Sequence, residues 1–176
     1  MTDVPEPEPA VQRAARHVFF GIGASVASTV YGTIVVMATL TAAYASQKDP
    51  WKLAGIVASA SVVLWLAHLY AHGLSESIVR KRRMRRDELR ALFGRELGIL
   101  LAGVVPIAAL VLGALGVFKE TTAVWAAISV GLVTLAVEGV RFARIERLGL
   151  AATVVATVIN LALGLLVVAM KVLLAH

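Results

Sequence analysis

Five long apolar runs divide the chain, at residues 18–45, 52–73, 97–118, 122–142 and 148–174. A helix needs about 20 residues to cross a hydrocarbon core roughly 30 Å thick, and each run reaches that length. Lipid offers no partner to a bare backbone, so each run must close its hydrogen bonds as a helix or inside a closed barrel. The runs are too long, and alternate too little, for barrel strands. The pattern predicts an all-α, polytopic integral membrane protein. Residues 17–176 form one domain, a bundle of five transmembrane helices.

The polar segments between the runs predict the rest of the outline. Residues 1–16 open with "MTDVPEPEPA". Alternating proline and glutamate remove donors and repel one another, so these residues are expected to form a disordered tail. "SQKDPW" reads as a short turn, with Pro50 near a helix start and Trp51 as an interfacial anchor. Residues 77–96 are the one sizeable loop. Leu89, Leu92 and Phe93 within it, with Leu97 just beyond, make an apolar stripe at three- and four-residue spacing, which predicts a short amphipathic helix on the membrane surface. Ala43-Tyr44-Ala45 has the form of a signal cleavage site. The run before it is near 28 residues, against about 7–15 in a signal, so it is read as a retained span.

Composition agrees: 59% of the 176 residues are hydrophobic, against roughly 45–50% in soluble domains. There is no cysteine, which removes disulfides, thiolate metal sites and thiol catalysis. No nucleotide loop, nucleophile elbow, zincin motif or carboxylate pair is present, and no soluble segment is large enough to house such a site. The expectation is a non-enzyme without a cofactor.

Charge sets the topology. Two basic residues precede the first run, eight lie in or beside the 77–96 loop and three between the last two runs. These thirteen of the 17 fall on one side, leaving Lys48, Lys52, Lys119 and Lys171 on the other. The positive-inside rule then places the N-terminus in the cytoplasm and the C-terminus outside. The pI near 10.2 is thereby explained without nucleic acid. Arg80, Lys81, Arg82, Arg83, Arg85 and Arg86 are the expected contacts to anionic headgroups, at about 1 kcal/mol each near the surface.

The candidate chemistry lies in "LWLAHLYAHGLSE". His68, His72 and Glu76 recur every four residues and share one helix face. His68 lies about 18 Å of helix from Arg80, well below the surface. Imidazole and carboxylate suit a divalent metal, and Glu138 near the end of the fourth run is the natural further ligand. Asn160, on one face of the fifth run with Thr153 and Thr157, is expected to share a transport path or a hydrogen bond with His68. The competing reading is a helix-end cluster with ordinary hydrogen bonds, and an ion pair of Glu138 with Arg141.

The first run carries Gly21, Ser25, Thr29 and Thr33 at four-residue spacing, with Gly23 and Ala27 as a second small pair. Small residues let helices approach closely. The same region begins "FGIGASVAS". Together with "HGLSES" after the second run, the proline in "LAGVVPIAALVLGALG" and the glycine and basic residues of "VEGVRFARIERLGL", it resembles the vacuolar iron transporter family, related to the Ccc-type carriers. The resemblance implies five spans with the N-terminus inside, proton-coupled exchange, and a dimer in which Gly21, Ser25 and Thr29 would line the contact. The chain departs from the family in two places. Ile22-Gly23-Ala24-Ser25 stands where the family has an aspartate, and the loop that gathers metal in the family is here short and basic. Only Glu76 matches a family carboxylate.

The expected function is a small transporter-like protein for a cation, metal ion or proton, in a bacterial-type plasma membrane and forming a homodimer. The alternative is a non-transporting structural or regulatory membrane protein whose basic loop binds anionic lipid or a protein partner.

Overall fold

The computed structural model describes the backbone of residues 10–82 and 84–174, and the side chains of residues 26–79, 81–82 and 84–169. Five helices follow one another: α1 Ala10–Ser46, α2 Pro50–Arg80, α3 Arg86–Ala114, α4 Glu120–Ile145 and α5 Leu150–Leu174. All five contain a stretch long and apolar enough to cross a membrane, so the all-α, multi-pass outline is as the hydrophobic pattern indicates.

Two boundaries differ from that pattern. Helix α1 begins at Ala10, taking in residues assigned to the tail, because "AVQRAARH" after Pro9 is made largely of good helix formers. Residues 1–9 lie outside the described residues. The separate surface helix does not form: α3 runs unbroken from Arg86 through the amphipathic stretch and on to Ala114. Nothing between 86 and 105 stops a helix, and Gly94 is a tolerated weakness.

The helix ends have identifiable causes. Asp49 caps α2, its carboxylate accepting from the Trp51 backbone N–H at 2.9 Å, with Pro50 at the first helical position. Lys81, at φ 51°, ends α2 in the left-handed region. Glu88 accepts from the Arg85 backbone N–H at 2.8 Å and so secures the start of α3. Gly116, at φ 79°, closes α3: its N–H donates to Gly113 and that of Val117 to Leu112, the paired bonds of a Schellman turn. Arg147, at φ 53°, closes α4 by the same geometry, with bonds to Arg144 and from Leu148 to Ala143.

Helices α1, α3 and α4 form the middle of the bundle. Helix α2 packs on α3 and α1, and α5 packs on α4 and α1; among the described residues α2 and α5 do not touch. The α2–α3 and α4–α5 turns lie at one end, here termed the basic end. The apolar core gathers toward the other end, around Met37, Leu40, Leu53, Val57, Leu110, Val124 and Ile128. Thr33, from the small-residue ladder of α1, is buried inside this bundle and donates to its own Thr29 carbonyl at 2.8 Å. The surroundings of Gly21, Gly23 and Ser25 lie outside what the structure describes. Pro106 is buried in α3, which passes through it without a break.

Two glycines set how closely helices approach. A Cβ on Gly32 of α1 would lie 2.7 Å from the Ile99 Cα and 2.9 Å from its carbonyl oxygen on α3. A Cβ on Gly139 of α4 would lie 2.7 Å from the Thr157 Cα on α5. Backbones meet directly at both crossings, the mode of packing expected where no hydrophobic effect draws helices together.

Candidate functional site

Below the Gly32 crossing, toward the basic end, the bundle becomes polar. Ser28 lies one turn before Gly32 on α1, and Glu96 lies three residues before Ile99 on α3. The close crossing thus brings these two side chains together. The Ser28 hydroxyl donates to Glu96 Oε2 at 3.0 Å. From α2, His72 Nδ1 lies 3.2 Å from Glu96 Oε1. Three helices therefore converge on one carboxyl that is only 3% exposed.

A cavity of about 310 Å³ adjoins the carboxyl, lined by Ala27, Ser28, Tyr31, His68, His72, Arg95 and Glu96. The His68 ring lies 4.8 Å from the Tyr31 ring and 5.6 Å from the His72 ring. An aromatic and two imidazoles thus form a continuous row leading to the carboxyl. One turn before His68, Trp65 packs edge-on to Phe93 of α3 with ring centres 5.4 Å apart. Its indole N–H is buried with no hydrogen-bond acceptor among the described residues.

The expected site is only partly assembled. His68 and His72 stand together on α2, as their spacing requires. Glu76, on the same helix, is half-buried and has an interaction of its own. Glu138 joins neither histidine: buried on α4, it accepts from Arg141 Nη1 at 3.2 Å, the i, i+3 pair that its spacing allowed. Among the described residues no three His, Asp or Glu side chains cluster so as to hold a metal ion. Asn160 is displaced from its expected role too. Thr157 packs on Gly139 and Asn160 lies beside it, facing a separate cavity of about 360 Å³ lined by α1, α4 and α5. Tyr31, from α1, holds the place against His68 for which Asn160 was expected, because α2 and α5 are kept apart by the helices between them.

Glu96 and Tyr31 belong to the site although the sequence pattern does not single them out. Glu96 closes the polar loop in the sequence and reads as one more of its charges. Its phase is the signal that marks it. Leu92, Glu96, Ile99, Gly103, Pro106 and Leu110 recur at three- and four-residue spacing and are all buried. The more apolar stripe of Leu89, Phe93 and Leu97 is the exposed one.

Acids at the start of α3 pair with basic residues of the turn. Arg82 grips Glu88 with two bonds, at 2.6 and 3.1 Å. That hydrogen bond, and then the charge of Glu88, raise the Arg82 pKa above its ordinary value. Arg85 Nε lies 3.7 Å from Asp87, while Lys81 and Arg86 are exposed. Arg83 and the side chain of Arg80 lie outside the described residues.

Comparisons with protein-family models, with curated proteins and with solved structures give no match for this chain.

Proposed function

We propose that this chain is a small transporter-like membrane protein that handles a cation, a proton or a metal ion, at the carboxyl of Glu96. One observation carries the reading: a buried carboxyl among candidate membrane spans, held by Ser28 and His72 and adjoining a cavity lined by His68 and Tyr31. Ionisable side chains that persist in or at the ends of spans face the bundle interior and mark proton relays and ion paths. The position fits access from the basic end. Glu96 is about 27 Å of helix from Ala114 at the far end of α3, so it lies near the headgroup level of the basic side. With that side cytoplasmic by the charge asymmetry, the site faces the cell interior of a bacterial-type plasma membrane. Kinship with the vacuolar iron transporter family, and a homodimer, belong to the same proposal. In it Glu96, rather than Glu138, is the carboxylate nearest the histidines.

A second reading is favoured by the bonds that join Arg82 and Arg85 to Glu88. In that reading the protein transports nothing, the three-helix contact at Glu96 is a structural clamp, and the turn presents Lys81 and Arg86 to anionic lipid or a partner.

Proteoliposome flux separates the two. Wild type and Glu96→Gln are assayed for proton flux with an entrapped pH dye, and for uptake of manganese, iron and zinc. Glutamine keeps the size and an acceptor for Ser28 while removing the titration. The transport reading expects flux of one cation in wild type and its loss in the variant. No flux of any cation in wild type gives the second reading, and equal flux in both proteins overturns the assignment of transport to Glu96.

A further inference from the structure

A different part of the bundle carries its own binding site. A groove of about 620 Å³ runs along α4, lined among the described residues by Ala136, Val137, Val140, Arg141, Arg144 and Ile145. These residues form two rows at four-residue spacing, Ala136–Val140–Arg144 and Val137–Arg141–Ile145, which lie side by side on one helix face. Each row begins apolar at the depth of the bundle's middle. The two arginines stand together at the basic end. Arg141 is about 32 Å of helix from Glu120 at the opposite end of α4, so both arginines reach headgroup level while Ala136 and Val137 remain at acyl depth.

The two arginines are not equivalent. The buried carboxylate of Glu138 holds Arg141 through Nη1 at 3.2 Å. A guanidinium carries five donors, so this bond orients Arg141 without using it up, and the residue stays exposed. Arg144 has no carboxylate partner among the described residues and is likewise exposed. Two guanidiniums one turn apart above an apolar trough complement a phosphate diester joined to acyl chains. A free anion would use only the top of such a site, and a neutral lipid only the bottom.

We propose that this groove binds an anionic phospholipid from the bilayer, its phosphate on Arg144 and Arg141 and an acyl chain along Val140, Val137 and Ala136. The site is separate from the cavity at Glu96 and from the basic turn between α2 and α3, and it does not depend on whether the protein transports anything.

Native mass spectrometry of the full chain in a nonionic detergent tests this. Phosphatidylglycerol is titrated against phosphatidylcholine of identical acyl chains, and against inorganic phosphate. Each basic residue near an anionic surface is worth roughly fivefold, so the pair should favour phosphatidylglycerol by roughly 25-fold. Arg144→Gln should cut the preference to roughly fivefold, while Arg82→Gln with Arg85→Gln should leave it unchanged. Val137→Trp, at an exposed position that fills the trough, should weaken phosphatidylglycerol while preserving the melting temperature, and it carries the test if Arg144→Gln does not fold. Four results would overturn the proposal: equal affinity for the two lipids, a preference that follows the basic-turn variant, competition by inorganic phosphate at equal concentration, or a dimer whose formation excludes lipid from the groove.

Discussion

Gly32→Ala tests packing and site in a single substitution. The added methyl would lie 2.7 Å from the Ile99 Cα, 2.9 Å from its carbonyl oxygen and 3.1 Å from the Ala102 Cβ. Carbon atoms rest at about 3.5–4.0 Å, so α1 and α3 must part by about 1 Å at this crossing. The obstacle is backbone on both sides, and no rotamer change relieves it. Overpacking of this kind costs about 1–3 kcal/mol. The effect then reaches the site. Ser28 is one turn away on α1 and meets Glu96 at 3.0 Å. Moving the helices apart by that amount takes the pair beyond hydrogen-bond distance, and leaving a buried polar partner unsatisfied costs about 1–3 kcal/mol. The two losses share one cause and overlap, so a total of about 2–4 kcal/mol is expected. Reversible unfolding in mixed micelles with increasing SDS supplies the free energies for wild type, Gly32→Ala, Ser28→Ala and the double variant. Ser28→Ala should cost about 1–3 kcal/mol alone, and much less once Gly32 is alanine, because the bond it removes is already broken. Full additivity, or a Gly32→Ala protein within about 0.5 kcal/mol of wild type, would refute the link between the crossing and the carboxyl.

Three further outcomes follow from other parts of the bundle. Gly116→Ala places a side chain at φ 79° and should destabilise the protein by about 1–2 kcal/mol in the same unfolding assay, whereas Gly55→Ala, where a Cβ meets nothing within 4 Å, should be neutral or slightly stabilising. Gly139→Leu should separate α4 from α5 at Thr157 and expose the α4–α5 turn to protease; an unchanged digestion pattern would contradict the close crossing. Reporter fusions should place residue 85 in the cytoplasm and residue 176 outside, and an external signal at residue 85 would reverse the orientation read from charge.

The spans are legible in the sequence because lipid enforces a simple rule on length and apolarity, and the five helices follow it. The inside of the bundle does not obey the same rule. In water the apolar stripe of an amphipathic helix faces the protein. In lipid the preference weakens, because the surroundings are as apolar as leucine. So Leu97, Leu101, Val104 and Val105 are exposed, and the stripe with glycine, alanine and one glutamate turns in. The spacing of His68 and His72 places them correctly on one face. It holds no information on which helix faces them. That depends on α1 lying between α2 and α5, which puts Tyr31 and Ser28 within reach and leaves Asn160 against α4. Glu138 is legible at the scale of one helix turn, in its pairing with Arg141, and not beyond it.

The three tryptophans fall into two environments. Trp51 and Trp125 are exposed near the starts of α2 and α4, away from the basic end. Trp65 alone sits in the α2–α3 seam, edge-on to Phe93, one turn from His68 and with no acceptor for its indole N–H among the described residues. The molecule therefore contains a fluorophore placed beside the polar site, set apart from two exposed ones near the opposite end. With Trp51 and Trp125 replaced by phenylalanine, the remaining emission comes from the seam. Its wavelength should shift when a cation or water enters the cavity next door, giving an optical signal of site occupancy that needs no attached label and serves for any ligand.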